Sequence, residues 1–473
     1  MTIDSLRSQH RRFIYQAFSY QLTKVGLEIT FDFLLEPNIQ FQPQLTLEGV
    51  TQETLDHLPA EQLNNLIFNL GLIEIPSYWK CACSPEICVQ AGTLSVEQIA
   101  WWQDLFIKGM GEFYFTNQID FTQPNFVQIV AESHSDTAIG KPSLEENQYS
   151  QPYLIPIGGG KDSSLTLGLL DQASQSYGCL VLKPASPAAL TLAQQSNAKQ
   201  IIIVSRKIDP KLLELNKQGY LNGHTPFSAY LSFVSTLIAQ LFGYQQILVA
   251  NEQSANQANL TYLNLEINHQ YSKSLEYETN FRQYAQKYLG SKTNQAEYLS
   301  FLRPLYEIQI AKLFSQFPQY FTQFKSCNIK QQSGTWCGHC PKCLFVYLML
   351  YPFIDTQILT QQIFDHDLFA DEDMIPLALS LAGLGEHKPL ECVGTYDEVQ
   401  VALYLARKKY QVSNPDSQPL PPVLATLNNQ LLTSRPDQAW EELADHLLTS
   451  WNNNHYLDAN LVKLLKSYLT QIL

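Results

Sequence analysis

The chain has 473 residues, 45% of them hydrophobic and 12% aromatic, which is enough apolar material for more than one core, so two or three domains are expected. A formal charge of −14 argues against the broad basic footprint that nucleic acid requires, and anionic small molecules would need locally placed cations. Residues 1–12 are polar, and no apolar run approaches the roughly 18 residues of a membrane span, so the sequence predicts a cytoplasmic protein without membrane insertion. Nine cysteines, an odd number in such a chain, do not read as a disulfide framework.

Residues 1–140 are predicted to form an α+β domain, with strand character over 21–35, a helix at 61–70 and a tryptophan-bearing amphipathic helix at 96–108. Cys81, Cys83 and Cys88 lie close together there, but no fourth ligand stands at the usual spacing, so they read as buried or half-buried thiols. The polar segment 134–151 reads as a linker.

Beyond it, strands are predicted at 153–157, 178–183, 200–205 and 246–250, with helices at 162–172, 187–195 and 226–242. Near-continuous apolar strands alternating with helices mean a parallel sheet covered on both faces, with ligands outside the carboxyl ends of the strands. The first such end carries Gly158, Gly159, Gly160, Lys161, Asp162, Ser163 and Ser164. Glycines admit backbone angles closed to other residues and leave no Cβ in the path of an anion. The helix start that follows turns N–H groups and the positive end of its dipole toward the loop. This is the pattern of a phosphate cradle. Two common cradles are excluded, because Asp162 stands where a P-loop has Ser or Thr, and Ser163 where a dinucleotide fingerprint has its last glycine. The remaining strand ends carry Lys183, Arg206 and Lys207, each an anion contact or an ordinary solvated charge, and Glu252, a carboxylate suited to magnesium or to base work.

The polar stretch 268–278 holds His269, Lys273, Glu276 and Glu278, and 297–314 reads as an amphipathic helix broken by Pro304, with Arg303 as a carboxylate or phosphate clamp. Cys327, Cys337, Cys340 and Cys343 give C-x9-C-x2-C-x2-C, a pattern that satisfies a tetrahedral zinc with no open position. A structural zinc is therefore expected, an iron–sulfur cluster being the other occupant. Residues 345–353 read as a buried helix or strand, 358–384 have helical spacing, and 411–422 form a proline-rich tether, so that 356–473 should be mostly helical. The loop 383–395 contains Cys392, whose apolar flank favours an inert thiol over a reactive one.

The glycine loop resembles the Ser-Gly-Gly-x-Asp-Ser loop of the ATP pyrophosphatases, with Gly158 in place of the first serine. The wider set is Asn-Glu-Gln-Ser-Ala-Asn at 251–256, Asn-His-Gln-Tyr-Ser-Lys-Ser-Leu-Glu at 268–276, Phe-Leu-Arg-Pro-Leu at 301–305, Cys-Gly-His-Cys-Pro-Lys-Cys at 337–343 and Lys-Pro-Leu-Glu-Cys-Val-Gly-Thr at 388–395. Together these resemble the UDP-N-acetylmuramoyl-L-alanyl-L-glutamate epimerase family over about residues 150–400. The resemblance implies an α/β fold whose central parallel sheet, within 150–355, is of the adenine nucleotide alpha hydrolase or ATP pyrophosphatase type. It implies ATP on residues 158–164, with Ser163 and Ser164 as phosphate donors, and Mg2+ on Asp162.

The activity implied is conversion of the terminal L-glutamate of a nucleotide-linked dipeptide to D-glutamate in peptidoglycan synthesis, with release of AMP and diphosphate. ATP has a chemical reason to be there. Removing the α-proton beside a carboxylate builds a second negative charge next to the first, whereas adenylation neutralises the carboxylate and acidifies the α-carbon, directly or through an oxazolone. Asp162, Glu252, His269, Lys273 and Arg303 form the pool for metal binding, acid–base work and carboxylate binding. Another adenylating enzyme, an amidating or nitrile-forming synthetase, is the alternative, and a zinc-stabilised nucleotide sensor is a non-enzymatic one.

Overall fold

The computed structural model describes residues 1–132, 151–290, 296–414 and 418–472; the linker reading at 134–151 lies outside them save for Gln151. The organising element is a mixed, mostly parallel sheet of eleven strands. Its central part consists of β7 (Gln151–Pro156), β8 (Tyr177–Lys183), β9 (Ile201–Lys207), β10 (Tyr244–Val249) and β13 (Glu297–Ser300). All are parallel, in the order β13-β10-β7-β8-β9. Chain direction across the sheet reverses between β7 and β10, which is where doubly wound sheets open a crevice for ligands.

The sheet continues past β9 into the N-terminal segment. There β4 (Gln44–Glu48) pairs antiparallel with β9, with Leu45 opposite Arg206, and leads to β2 (Gly26–Leu35) and β1 (Arg12–Leu22). The parallel pair β5 (Glu86–Thr93) and β6 (Gln128–Glu132) closes that edge, and β3 (Ile39–Phe41) pairs with β2. A separate hairpin joins β11 (Leu260–Tyr262) and β12 (Leu265–Ile267).

Side-chain alternation along the strands feeds two cores. Ile155, Cys179 and Val181 pack with the helices Lys161–Gln172, Glu307–Phe314, Pro341–Leu350 and Tyr396–Ser413 on one face. Leu154, Leu180, Ile202 and Val204 pack with Ala60–Trp79 and Phe227–Phe242 on the other.

Several expectations need correction. Residues 297–314 are not one broken helix: β13 ends at Ser300, Pro304 sits in a turn, and a helix starts at Glu307. The strand region 21–35 spans the β1–β2 turn, and the helical spacing over 358–384 resolves into short pieces, the longest being Ile375–Leu381. Cys81 and Cys83, in the turn after Ala60–Trp79, are buried and Cys88 half-buried, as expected, and burial pushes the Cys81 thiol up to about 12. No described helix is long and apolar enough to cross a membrane.

Candidate active site

The glycine loop lies at the carboxyl end of β7, beside the reversal point. Gly159 takes φ +90°, and a Cβ there would lie 2.6 Å from Ser186 Oγ and 2.8 Å from the Ala189 nitrogen. At Gly160 it would lie 2.9 Å from Ser326 Oγ, whereas at Gly158 it would meet nothing within 4 Å. Gly160 caps the helix Lys161–Gln172 without a side-chain bond, so the first-turn N–H groups face the loop. The Ser163 and Ser164 hydroxyls turn back on the Gly160 carbonyl, at 3.2 and 2.9 Å.

Three carboxylates converge beside this loop: Asp162 from the helix start, Glu252 after β10, and Glu307 from the first turn of Glu307–Phe314, with ligand atoms within 4.8 Å of one another. Lys161 is buried among them, its Nζ bonded to Asp162 and, at 2.6 Å, to Glu307 Oε2. Burial drives Glu307 up to about 7 against the pull of Lys161, with Asp162 and Glu252 adding like-charge repulsion. Burial raises Glu252 too, whereas at Asp162 the charges of Lys161 and Lys342 outweigh burial and hold the carboxyl below its usual range. Crowded, half-neutralised acids beside an anion cradle suit a divalent cation, which would supply the charge they lack.

Arg303 does not face this space. It is 0% exposed, with Nη1 donating to the Glu252 carbonyl at 2.6 Å, Nη2 to the Lys273 carbonyl, and Nε and Nη2 to Glu278 at 3.3 and 3.2 Å. The guanidinium thus ties together the two segments that present Glu252 and Lys273. The strand-end cations are also committed elsewhere: Arg206 pairs with Glu74 and Ser77, Lys183 with Glu48, and Lys207 is exposed.

Beyond the carboxylates lies a second cluster that the sequence reading assembled only in part. Lys273 Nζ is 3.2 Å from the half-buried Cys392 Sγ. His269 neighbours the same thiol, and its Nδ1 bonds the Glu112 carboxylate. His224 reaches that Glu112 oxygen at 3.2 Å. Burial alone would raise Cys392, but Lys273, then His269 and Lys342, bring it down to about 5. Burial would lower His269, yet the neighbouring Cys392 and Glu112 lift it to about 10, while burial and the His269 charge hold His224 down to about 4. The Cys392 thiol is thus held well below its ordinary range beside the Lys273 ammonium, where its apolar flank led to the expectation of an inert thiol. Glu112, His224 and His269 also stand close enough to share a cation, both ring Nδ1 atoms reaching one Glu112 oxygen.

Cys327, Cys337, Cys340 and Cys343 do come together. Sulfur–sulfur distances of 3.7 Å (Cys337–Cys343) and 3.4 Å (Cys340–Cys343) are close to the roughly 3.8 Å set by tetrahedral Zn–S bonds. The Lys330, His339 and Cys343 amides point at these sulfurs. The group can hold a zinc ion. Between the last two cysteines, Lys342 extends toward the site and donates to the Cys392 carbonyl.

Glu112, Glu307, Lys342 and Cys392 are the residues sequence reasoning did not select. Glu307 had a usable signal, an acid opening a mostly apolar helix; Glu112 had none, since only folding brings it 157 positions to His269.

Family models for the MurL N-terminal domain and the MurL C-terminal domain match residues 4–301 and 323–435. The chain is similar to proteins named UDP-N-acetyl-alpha-D-muramoyl-L-alanyl-L-glutamate epimerase. That of Micromonospora sp. is 30% identical over 94% of this chain and 96% of its own. That of Xanthomonas oryzae pv. oryzae is 32% identical over 71% and 72%, and that of Salinispora tropica 30% over 91% and 90%. No solved structure matches. With both halves of the sheet and the cysteine group inside the matched spans, the chain belongs to the MurL family.

Proposed function

We propose that this protein converts the terminal L-glutamate of UDP-N-acetylmuramoyl-L-alanyl-L-glutamate to D-glutamate, consuming ATP with Mg2+ and releasing AMP and diphosphate by way of an acyl-adenylate. The observation that carries the ATP part is the meeting of the glycine cradle with Asp162, Glu252 and Glu307 at the reversal point of the sheet. The names of the relatives carry the substrate.

In this reading the backbone of 158–160 and the first N–H groups of the following helix bind phosphate oxygens. Asp162, Glu252 and Glu307 hold Mg2+, which neutralises diphosphate charge when bound. Lys161 offsets the carboxylates and, lying at the cradle, is within reach of a phosphate. Arg303 acts as a positioning residue through Glu252 and Lys273, and the four cysteines hold structural zinc. Once the carboxyl is activated, the α-proton is exchanged by groups drawn from His269, Lys273 and Cys392. Net hydrolysis of the activated acyl group completes the cycle in peptidoglycan synthesis.

The test is incubation with the L,L-nucleotide dipeptide in heavy water, with and without ATP, followed by chiral analysis of glutamate. Deuterium at the α-carbon and D-glutamate are expected only with ATP, together with stoichiometric diphosphate. Equal epimerisation without ATP would sink the proposal.

A further inference from the structure

The Glu112 carboxylate bonds the His269 ring at Nδ1, Cys392 neighbours the same imidazole, and the Lys273 ammonium stands 3.2 Å from the Cys392 sulfur. This is the arrangement of an activated nucleophile, a base, and a group that orients the base. It lies next to the carboxylate cluster, since the Lys273 ammonium, 3.2 Å from Sγ, is also in the field of Glu252 and Asp162. Lys342 holds the backbone of Cys392 from the zinc side. Two cations around a half-buried thiol serve no packing purpose.

We propose that Glu112, His269 and Cys392 form a nucleophile triad, in which Cys392 takes the glutamyl group from AMP as a thioester, on which the α-proton is exchanged before water releases the acid. This rests on the adenylation reading above and adds the covalent stage to it.

The stages balance as follows. The Sγ–C bond forms as the bond from the acyl carbon to the AMP phosphate oxygen breaks, and its electron pair leaves on the phosphate with the His269 proton. Neutral His269 then takes the α-proton while the C–H pair moves into the thioester carbonyl, beside the Lys273 ammonium. A proton from solvent restores the carbon on the opposite face, and His269 returns its own to solvent. Water finally adds to the carbonyl as His269 accepts its proton, and the C–S pair returns to sulfur, regenerating the thiolate–imidazolium pair.

A thiolate this strongly stabilised is a poor base for a carbon acid, yet remains an ionised nucleophile and a good leaving group at neutral pH. Lys273 stays protonated between Cys392 and Glu252, its affinity for the proton raised despite burial, so it can stabilise the enolate oxygen without attacking the thioester.

The experiment uses the full chain in excess over glutamate-labelled L,L-nucleotide dipeptide with ATP and Mg2+, quenched in acid. Label bound to protein, released by hydroxylamine and mapping to Cys392, is expected. In Cys392→Ala the bound label vanishes and epimerisation falls by about 1000-fold or more, while diphosphate is still formed in the first turnover. In His269→Asn the label should accumulate on Cys392, because the base for the releasing water is gone; an unchanged bound fraction would overturn the relay.

Iodoacetamide gives a readout that needs no variant. Its rate at Cys392 should rise through about pH 5 and stay flat to pH 9, whereas an unperturbed thiol would still be gaining reactivity there.

Diphosphate release without any protein-bound label, or Cys392→Ala epimerising within about 10-fold of wild type, overturns the triad and leaves the adenylation reading standing. No diphosphate release at all overturns the adenylation reading and the triad with it. A second metal ion per chain, lost in Glu112→Gln, would mean that Glu112 and His269 are ligands rather than a relay, and overturns it as well.

Discussion

At the scale of single residues, the three glycines of the loop are not equivalent. Gly159 combines a positive φ with a Cβ position already occupied by Ser186 and the Ala189 backbone, and the latter cannot move aside cheaply. Gly159→Ala is expected to cost about 1–3 kcal/mol and to abolish ATP-dependent diphosphate release. Gly158→Ser, which restores the serine of the related loops, opens onto free space and should stay within about 0.5 kcal/mol of wild type. Urea unfolding with diphosphate release separates the two, and equal effects would refute the steric account.

Arg303 poses a sharper contrast with its sequence reading. Arg303→Met would strand Glu278 in the core, and breaking such a buried pair costs about 3–5 kcal/mol, so stability should fall steeply. A raised KM with unchanged unfolding would instead mark it as a substrate clamp. Its pattern in the sequence, an arginine before proline among apolar residues, looks the same for both roles. Burial distinguishes them, and burial is not written locally.

At the scale of elements, the apolar runs that became β7 to β10 were legible to within a few residues, because each sends at least one face into a core and is bounded by turn residues. β13 was not, since Glu297–Ser300 is only four residues long and the apolar positions after it mimic helical spacing. The cysteine knuckle was legible because spacing alone brings two C-x2-C turns together. Its reach toward Cys392 was not, because that depends on where Lys342 points. One zinc per chain is expected by elemental analysis, absent in Cys340→Ser. Because Lys342 lies between the ligands and holds the Cys392 carbonyl, metal loss should lower the iodoacetamide reactivity of Cys392 as well as stability. A zinc-free variant with wild-type Cys392 reactivity would show that the two are uncoupled.

At the scale of the whole molecule, the N-terminal segment and the strands that follow residue 150 share one sheet rather than meeting at a surface. β4 supplies the backbone partners of β9, the Arg206–Glu74 pair crosses the same boundary, and Leu154, Leu180, Ile202 and Val204 find their core against helices that include Ala60–Trp79. Composition hinted at an α+β N-terminal part, but strand partners across such distances carry no local signal. The segment also delivers Glu112 to His269, so it contributes both to folding and to the site. A chain beginning at residue 151 should therefore expose the apolar edge and face of its sheet, aggregate on expression, and lose the Glu112 anchor of the imidazole. Adding residues 1–132 as a separate chain during refolding should recover soluble material and epimerisation together, because the β4–β9 pairing and Glu112 return at once. A soluble, monomeric 151–473 fragment that epimerises at the full rate would contradict both the shared core and the placement of Glu112.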